Sequence, residues 1–367
     1  MSKLDMKFLK DFDKELSKMD GIGTSSAPPR YWYSTGNYVL NRIISGSFQN
    51  GIPQGRITDL AGPAGAGKSF IAANLVAAAQ RAGAYCLIID SENALDDEFM
   101  SKIGVDTTEN YKYVGVNTIP EVTKIVSAFL KGYKEQVGVD VDAPQVLIMI
   151  DSLDMLMTET EMDNYEKGVT KGDQGQKNKQ LKAMLRTFVQ AIKNLNVAMI
   201  CTSQVYKNQD ILNGEGLWIV SDAVKYAASQ IILIQKRKLK DESKGAKMGD
   251  IAGVRMICEG YKTRFTKPFQ KVEIEVPYDE GMDPLSGLID VAKKLEVIEQ
   301  KGSRYCLTGS EETWFSKDLD QYLPQILTAL DEKSTMFLDA DGEIDTSDNP
   351  TAKSLRQEKF AAMQESE

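Results

Sequence analysis

From Arg56 onward, short blocks rich in apolar residues alternate with segments whose apolar positions recur every three to four residues. The blocks Ile57–Leu60, Tyr85–Ile89, Val146–Ile150 and Val197–Thr202 lack the regular polar alternation of a half-exposed strand. Between them lie Ile71–Arg81, Val122–Lys131 and Leu181–Leu195 at helical spacing. The pattern predicts an α/β fold with a mainly parallel sheet covered on both faces. Three later runs, Ile231–Gln235, Val254–Glu259 and Lys271–Val276, have no long helix between them and predict hairpin strands extending one sheet edge.

The ends read differently. Leu4, Phe8, Phe12 and Leu16 draw a short amphipathic helix with Ser2 as its cap, followed by the linker-like Gly21–Arg30. That helix packs on its own domain or reaches a neighbouring subunit. From Pro284 the pattern is again helical, with Leu288, Ile289, Ala292 and Leu295 on one face, and runs to about Leu330. The expected organisation is an oligomerisation helix and linker (1–32), a core (33–283), a small C-terminal helical α/β domain (284–334) and an acidic tail expected to be mobile (335–367). The DxDG fragment at Asp339 lacks the Gly and Glu that a calcium loop places at its sixth and twelfth positions, which excludes an EF-hand.

Composition narrows the chemistry. The chain of 367 residues contains no His, which removes Ser/His/Asp and Cys/His nucleophilic sites and His-ligated metals. Its net charge of −9 means that any nucleic-acid contact is local. The four cysteines lie at least 48 positions apart, so no zinc or redox pair exists, and buried thiols in a reducing, cytoplasmic setting are expected. No apolar stretch approaches the roughly 18 residues of a membrane span, so no membrane partner is expected.

Gly62, Pro63, Ala64, Gly65, Ala66, Gly67, Lys68 and Ser69 form a complete GxxxxGK[ST] string between a predicted strand and a predicted helix that continues through Phe70. The glycines let successive N–H groups and the helix N-terminus face phosphate oxygens. Lys68 then supplies charge to the β- and γ-phosphates of a bound nucleotide, and Ser69 a hydroxyl to Mg. Asp151 ends the apolar run VLIMID, where its carboxylate holds the same ion through water. With no His available, Glu92, just past the strand Tyr85–Ile89, is the best base for activating water. Gln204 ends the run AMICTSQ on a neighbouring strand, where an amide can sense the γ-phosphate.

Here the sequence resembles the RecA-type recombinases, most closely the UvsX-like proteins of bacteriophages, over about Tyr33–Tyr305. Besides the phosphate loop, the resemblance rests on STGNYVLNRIISG (Ser34–Gly46), GIPQGRI (Gly51–Ile57), DSENALDDEF (Asp90–Phe99), IDSLDML (Ile150–Leu156), SDAVKYAAS (Ser221–Ser229) and YDEGMDPLSGLIDVA (Tyr278–Ala292). It implies a RecA-type P-loop NTPase core, with Glu92 as the catalytic glutamate, Asp151 as the magnesium-linked aspartate and Gln204 as the γ-phosphate sensor. It also implies an adenine contact from Phe99, with Asp96 nearby in the ATP site and a weaker nucleotide contact from Tyr278. Lys262 and Arg264 take the positions from which family members send cations onto a neighbour's ATP; Arg at the second position matches the phage group rather than the bacterial pair of lysines.

Two segments resemble the family's DNA-binding loops. Glu161–Gln180 carries Lys167, Lys171, Lys177 and Lys179 among glycines, and phosphates are its expected target. Val205–Tyr226 carries Lys207, Trp218 and Lys225, but its acids outnumber its lysines, so apolar insertion between bases or amide contact is expected there. The implied function is an ATP-dependent DNA recombinase that forms a helical filament on single-stranded DNA and exchanges strands with a homologous duplex. Single-strand-binding and mediator proteins are compatible partners. Two alternatives stay open: a RecA-fold ring motor or mediator ATPase without strand exchange, and a metabolic P-loop kinase, for which no acceptor pocket or lid is identifiable.

Overall fold

The computed structural model describes residues 6–16, 18, 28–138, 140, 142–169, 175–207, 218–240, 251–278 and 281–335. The chain divides into two compact units, Met1–Arg30 and Tyr31–Glu367. The first contains helix α1 (Met6–Leu16), on which Phe12 is half exposed. Leu4, the expected cap Ser2, Lys171 and the acidic tail from 336 lie outside the described residues.

The second unit is built on eight strands: β1 (Ile57–Ala61), β2 (Tyr85–Asp90), β3 (Tyr111–Gly115), β4 (Val146–Asp151), β5 (Val197–Ser203), β6 (Gln230–Lys240), β7 (Ile251–Lys262) and β8 (Lys271–Pro277). Their order is β8-β7-β6-β1-β5-β4-β2-β3. The pairs from β6 through β3 are parallel, and β6, β7 and β8 form the antiparallel edge anticipated from the sequence.

Alternate strand residues enter two separate cores, as a pleated sheet requires. Leu60, Cys86, Ile88, Leu147, Met149 and Ile200 pack beneath α2 (Tyr38–Ser45), α3 (Lys68–Arg81) and α4 (Asp97–Ile103). Leu87, Ile89, Ile148, Ile150 and Met199 pack on the other face, beneath α5 (Ile119–Val137) and α7 (Gln176–Ile192). A capping box at Thr118 and Glu121 starts α5; a second, at Thr158 and Glu161, starts α6 (Glu159–Glu166). The short α8 (Asp222–Ala227) completes this face.

Two sequence expectations are corrected. The segment after Pro284 is not one helical run: α9 (Leu288–Lys294) and α10 (Leu319–Thr335) flank an antiparallel ribbon, Ile298–Lys301 with Arg304–Leu307. The ribbon is short and largely exposed, so its sequence carries little apolar periodicity. Strand β3 was not anticipated either, because YKYVG is a half-exposed edge strand without an apolar block.

The motif Ser34–Gly46 proves architectural. Asn37 caps α2 by accepting the Leu40 N–H at 2.9 Å, and its amide donates to the carbonyls of Asp283 and Ser286 at 3.0 and 3.1 Å. One buried side chain thereby ties the start of the core to the entrance of α9. All four cysteines are buried and free. Among the described residues no helix is long and apolar enough to cross a membrane.

Candidate nucleotide site and its surroundings

Register brings the sequence-distant motifs to one end of the sheet. Ala61 lies opposite Ser203 and Asp90 opposite Asp151, so the residues leaving β1, β2, β4 and β5 emerge together at the carboxyl ends of the parallel strands. Ligands of open α/β sheets bind at this edge. The loop of residues 62–67 fills its centre. Gly62 donates its N–H to Ser203 O at 3.1 Å, and a Cβ there would collide with the carbonyl of Ile234. Gly65 and Gly67 have φ of +66° and +98°, which glycine adopts without strain. Ala66 N–H closes a turn onto Pro63 O at 3.1 Å; Ala64 is exposed and Phe70 packs partly into the core.

Lys68 is buried at the first turn of α3, its ammonium donating to the carbonyls of Gly62 and Pro63 at 3.0 and 3.2 Å. Burial lowers its pKa, while the carboxylates of Glu92, Asp151, Asp154 and Asp59 oppose that shift. A cation surrounded by this much negative charge is held at the loop by the protein itself.

Asp151 is buried, accepts a hydrogen bond from the Thr202 hydroxyl, and has one carboxylate oxygen, Oδ2, without a protein partner. Burial raises its pKa, and the hydroxyls of Thr202 and Ser69 act in the opposite direction. A buried orphan carboxylate oxygen beside a hydroxyl is a donor set suited to a hard divalent cation that keeps most of its waters.

Glu92 is exposed and reaches back to the same end: Ser152 Oγ donates to its Oε1 at 2.6 Å. The turn that carries it is wound around Asp90. That buried carboxylate accepts the N–H groups of Glu92, Asn93, Ala94 and Leu95 at 2.8 to 3.1 Å. Gln204, half-buried, begins just after β5, and its N–H donates to Asp154 Oδ2 at 2.6 Å. Asp96 caps α4 through the Phe99 N–H at 2.8 Å, with the Phe99 ring against the core. Tyr278, exposed just past β8, lies at the loop's end of the sheet.

Lys262 and Arg264 stand elsewhere. Lys262 pairs opposite Ile231, which pairs opposite Asp59 at the middle of β1, whereas Gly62 follows the end of β1 beside Ile234. The Lys262 ammonium donates to the carbonyls of Lys225 and Ala228 at 2.5 and 2.7 Å, closing the C-terminus of α8. Burial and then the charge of Arg264 lower its pKa. Arg264 is exposed and acts also on Arg56, the residue preceding β1. The five residues of β1 put roughly 16 Å of strand between Arg56 and the phosphate loop of the same protomer.

Of the residues expected at DNA, Lys167 caps the end of α6 and is exposed, and Lys179 is exposed on α7. Lys177 donates its ammonium to Asp154 O at 2.5 Å. Lys207 and Trp218 face each other in a small ribbon, Val205–Lys207 with Trp218–Val220, and the Trp218 indole nitrogen is buried. Lys225 is mostly covered and lies 3.8 Å from Asp222.

Sequence reasoning missed three acids. Asp90 organises the Glu92 turn, and Asp154 joins Gln204 to Lys177. Asp59 is fully buried in β1, accepts Ser203 Oγ at 2.7 Å, and is pushed up to about 8 by burial. An acid inside a buried strand leading into the phosphate loop was the available signal.

Residues 7–283 match the family model described as the RecA N-terminal domain, three quarters of the chain. The chain belongs to the RecA family. Curated RecA proteins align along most of their length. That of Clostridioides difficile is 26% identical over 361 residues, covering 96% of this chain and 95% of the relative. The Aquifex aeolicus RecA protein is 26% identical over 337 residues, covering 91% and 90%. The RecA protein of the Wolbachia of Brugia malayi is 28% identical over 285 residues, covering 74% and 71%.

Proposed function

We propose that this chain is an ATP-dependent DNA recombinase whose ATP site is completed by a neighbouring protomer in a helical filament on single-stranded DNA, where it pairs a homologous duplex and exchanges strands. Family membership supports the ATPase and recombination activities. The observation that carries the shared site is spatial: the loop, Lys68, Asp151, Glu92 and Gln204 gather at one end of the sheet, while Lys262, level with the middle of β1, sends its ammonium to the carbonyls of Lys225 and Ala228 and Arg264 acts on Arg56, which precedes β1. Cations so placed reach a triphosphate only on another copy.

In this reading the loop N–H groups and Lys68 bind the phosphates, and the Ser69 hydroxyl, with Asp151 Oδ2 acting through water, would hold Mg, the ion supplying charge neutralisation to the transferring phosphoryl group. Glu92, oriented by Ser152, takes the proton of the attacking water. Gln204 reads the γ-phosphate; Asp96, Phe99 and Tyr278 border the base. Lys262 and Arg264 of the adjoining copy stabilise charge on the leaving phosphates. Lys167, Lys171, Lys177, Lys179, Lys207, Trp218 and Lys225 serve DNA. Hydrolysis removes the contact that favours the filament, which makes nucleotide state a switch for DNA affinity.

Arg264 in place of a second lysine supports a UvsX-like bacteriophage subtype, working in the cytoplasm, that of the host for a phage protein. The family match ending at residue 283 supports a separate small C-terminal domain from 284. Electron microscopy with ATP and single-stranded DNA tests the assembly: long helical filaments, with strand exchange in solution, support the reading, whereas closed rings without exchange favour a ring motor.

A further inference from the structure

Asp154 follows Asp151 by three residues, and its functional groups face in three directions. Its Oδ2 accepts the Gln204 N–H at 2.6 Å and its Oδ1 the Tyr206 hydroxyl at 3.2 Å. Its main-chain oxygen accepts the Lys177 ammonium at 2.5 Å. Its negative charge also acts on Lys68. Tyr206 is 57% exposed in the ribbon that carries Lys207 and Trp218, and Lys177 lies in the first turn of α7. One residue therefore touches the start of the Gln204 segment and an anchor on each of the two lysine-bearing segments.

We propose that Asp154 is a positioning residue that couples bound nucleotide to DNA affinity, by setting the Gln204 backbone and Tyr206 with its carboxylate and Lys177 with its carbonyl. The inference rests on the recombinase reading of these segments. The physical drive is electrostatic: a triphosphate on the loop competes for Lys68 and repels the nearby carboxylate. Because each oxygen holds a different element, a displacement of Asp154 reaches Gln204, Tyr206 and Lys177 together. A ligand shifts such an arrangement only through its differential interaction with the two states, and the charge of Asp154 supplies that difference.

The test measures affinity of the full-length protein for a fluorescent oligo(dT), at saturating slowly hydrolysed ATP analogue and at saturating ADP. The readout is the ratio of the two dissociation constants. Asp154→Asn lowers that ratio at least about fivefold, the low end of typical coupling. Asp154→Glu, which keeps the charge, recovers most of it. Tyr206→Phe, which removes one hydroxyl, lowers the ratio in the same direction by less and decides the matter should Asp154→Asn fail to fold. A merely structural Asp154 would weaken both states equally. Parental ratios in folded Asp154→Asn and in Tyr206→Phe overturn the inference and leave the recombinase reading standing. A parent protein whose DNA affinity ignores nucleotide overturns both.

Discussion

Ser152 donates its hydroxyl to Glu92 at 2.6 Å, joining the residue after Asp151, the proposed magnesium-linked acid, to the candidate general base. Ser152 is itself buried and fixed, its N–H bonded to Ser91 Oγ at 3.0 Å. The carboxylate is thereby oriented before substrate arrives, which is what proton transfer from a bound water requires. Glu92→Gln should lower ATP turnover at least about a hundredfold, within the usual range for a general base, while DNA binding in the presence of ATP persists. Turnover comparable to the parent would remove Glu92 from the mechanism.

Lys68 lies within the charge of Glu92, Asp151 and Asp154 and donates to two loop carbonyls. Lys68→Ala deletes the loop's own phosphate cation and leaves those acids facing the incoming triphosphate. Titration with a fluorescent ATP analogue should show binding reduced below detection at micromolar protein. A variant that binds and hydrolyses ATP like the parent would displace the site from this loop.

Asp59 gives the protein a pH signature. Its carboxyl is pushed up to about 8, mainly by burial, from an ordinary value of 3.8. The folded state therefore holds a proton that the unfolded chain has lost, and this contribution to stability is complete below about pH 4, declines as pH rises and is gone above about 8. Asp59→Asn cannot titrate, so its denaturation midpoint should change less between pH 5 and 8.5 than the parent's. The expected divergence across the full window is on the order of a few kcal/mol. Parallel profiles would mean that Asp59 is not shifted upward.

Much of the fold was legible because the sheet interior is. VLIMID can be buried on both faces only as a central strand, and the strand, glycine loop and helix around Lys68 announce both an element boundary and a chemistry. The reading faltered where information is tertiary. The edge strand Tyr111–Gly115 buries too little to show a pattern, and the ribbon at 298–307 is too short. The roles of Asp59, Asp90 and Asp154 depend on which strands become neighbours: Asp59 meets Ser203 across 144 positions and Asp154 meets Gln204 across 50. Sequence spacing alone does not bring those pairs together.

Asn37 is the architectural counterpart. It is buried, caps α2 and donates to two carbonyls at the entrance to α9. Asn37→Ala removes the cap, leaves the buried Leu40 N–H unpaired and releases the half-covered carbonyls of Asp283 and Ser286, costing about 1–3 kcal/mol in chemical denaturation. A loss under about 0.5 kcal/mol, the scale of ordinary surface substitutions, would show that these bonds do not hold the junction.

The most direct measurement mixes two defective proteins. Arg264→Ala retains the phosphate loop but lacks the cation proposed to serve its neighbour; Lys68→Ala lacks the loop lysine but still presents Arg264. Each should hydrolyse ATP on single-stranded DNA at least about a hundredfold more slowly than the parent, given the worth of such cations and of the loop lysine in phosphoryl transfer. With the site shared between copies, an equal mixture recovers about a quarter of the parental rate per protomer, the fraction of head-to-tail junctions that random pairing makes whole. A mixture no faster than the sum of its two parts, under conditions where both co-assemble on DNA, would contradict a site completed by the neighbouring protomer.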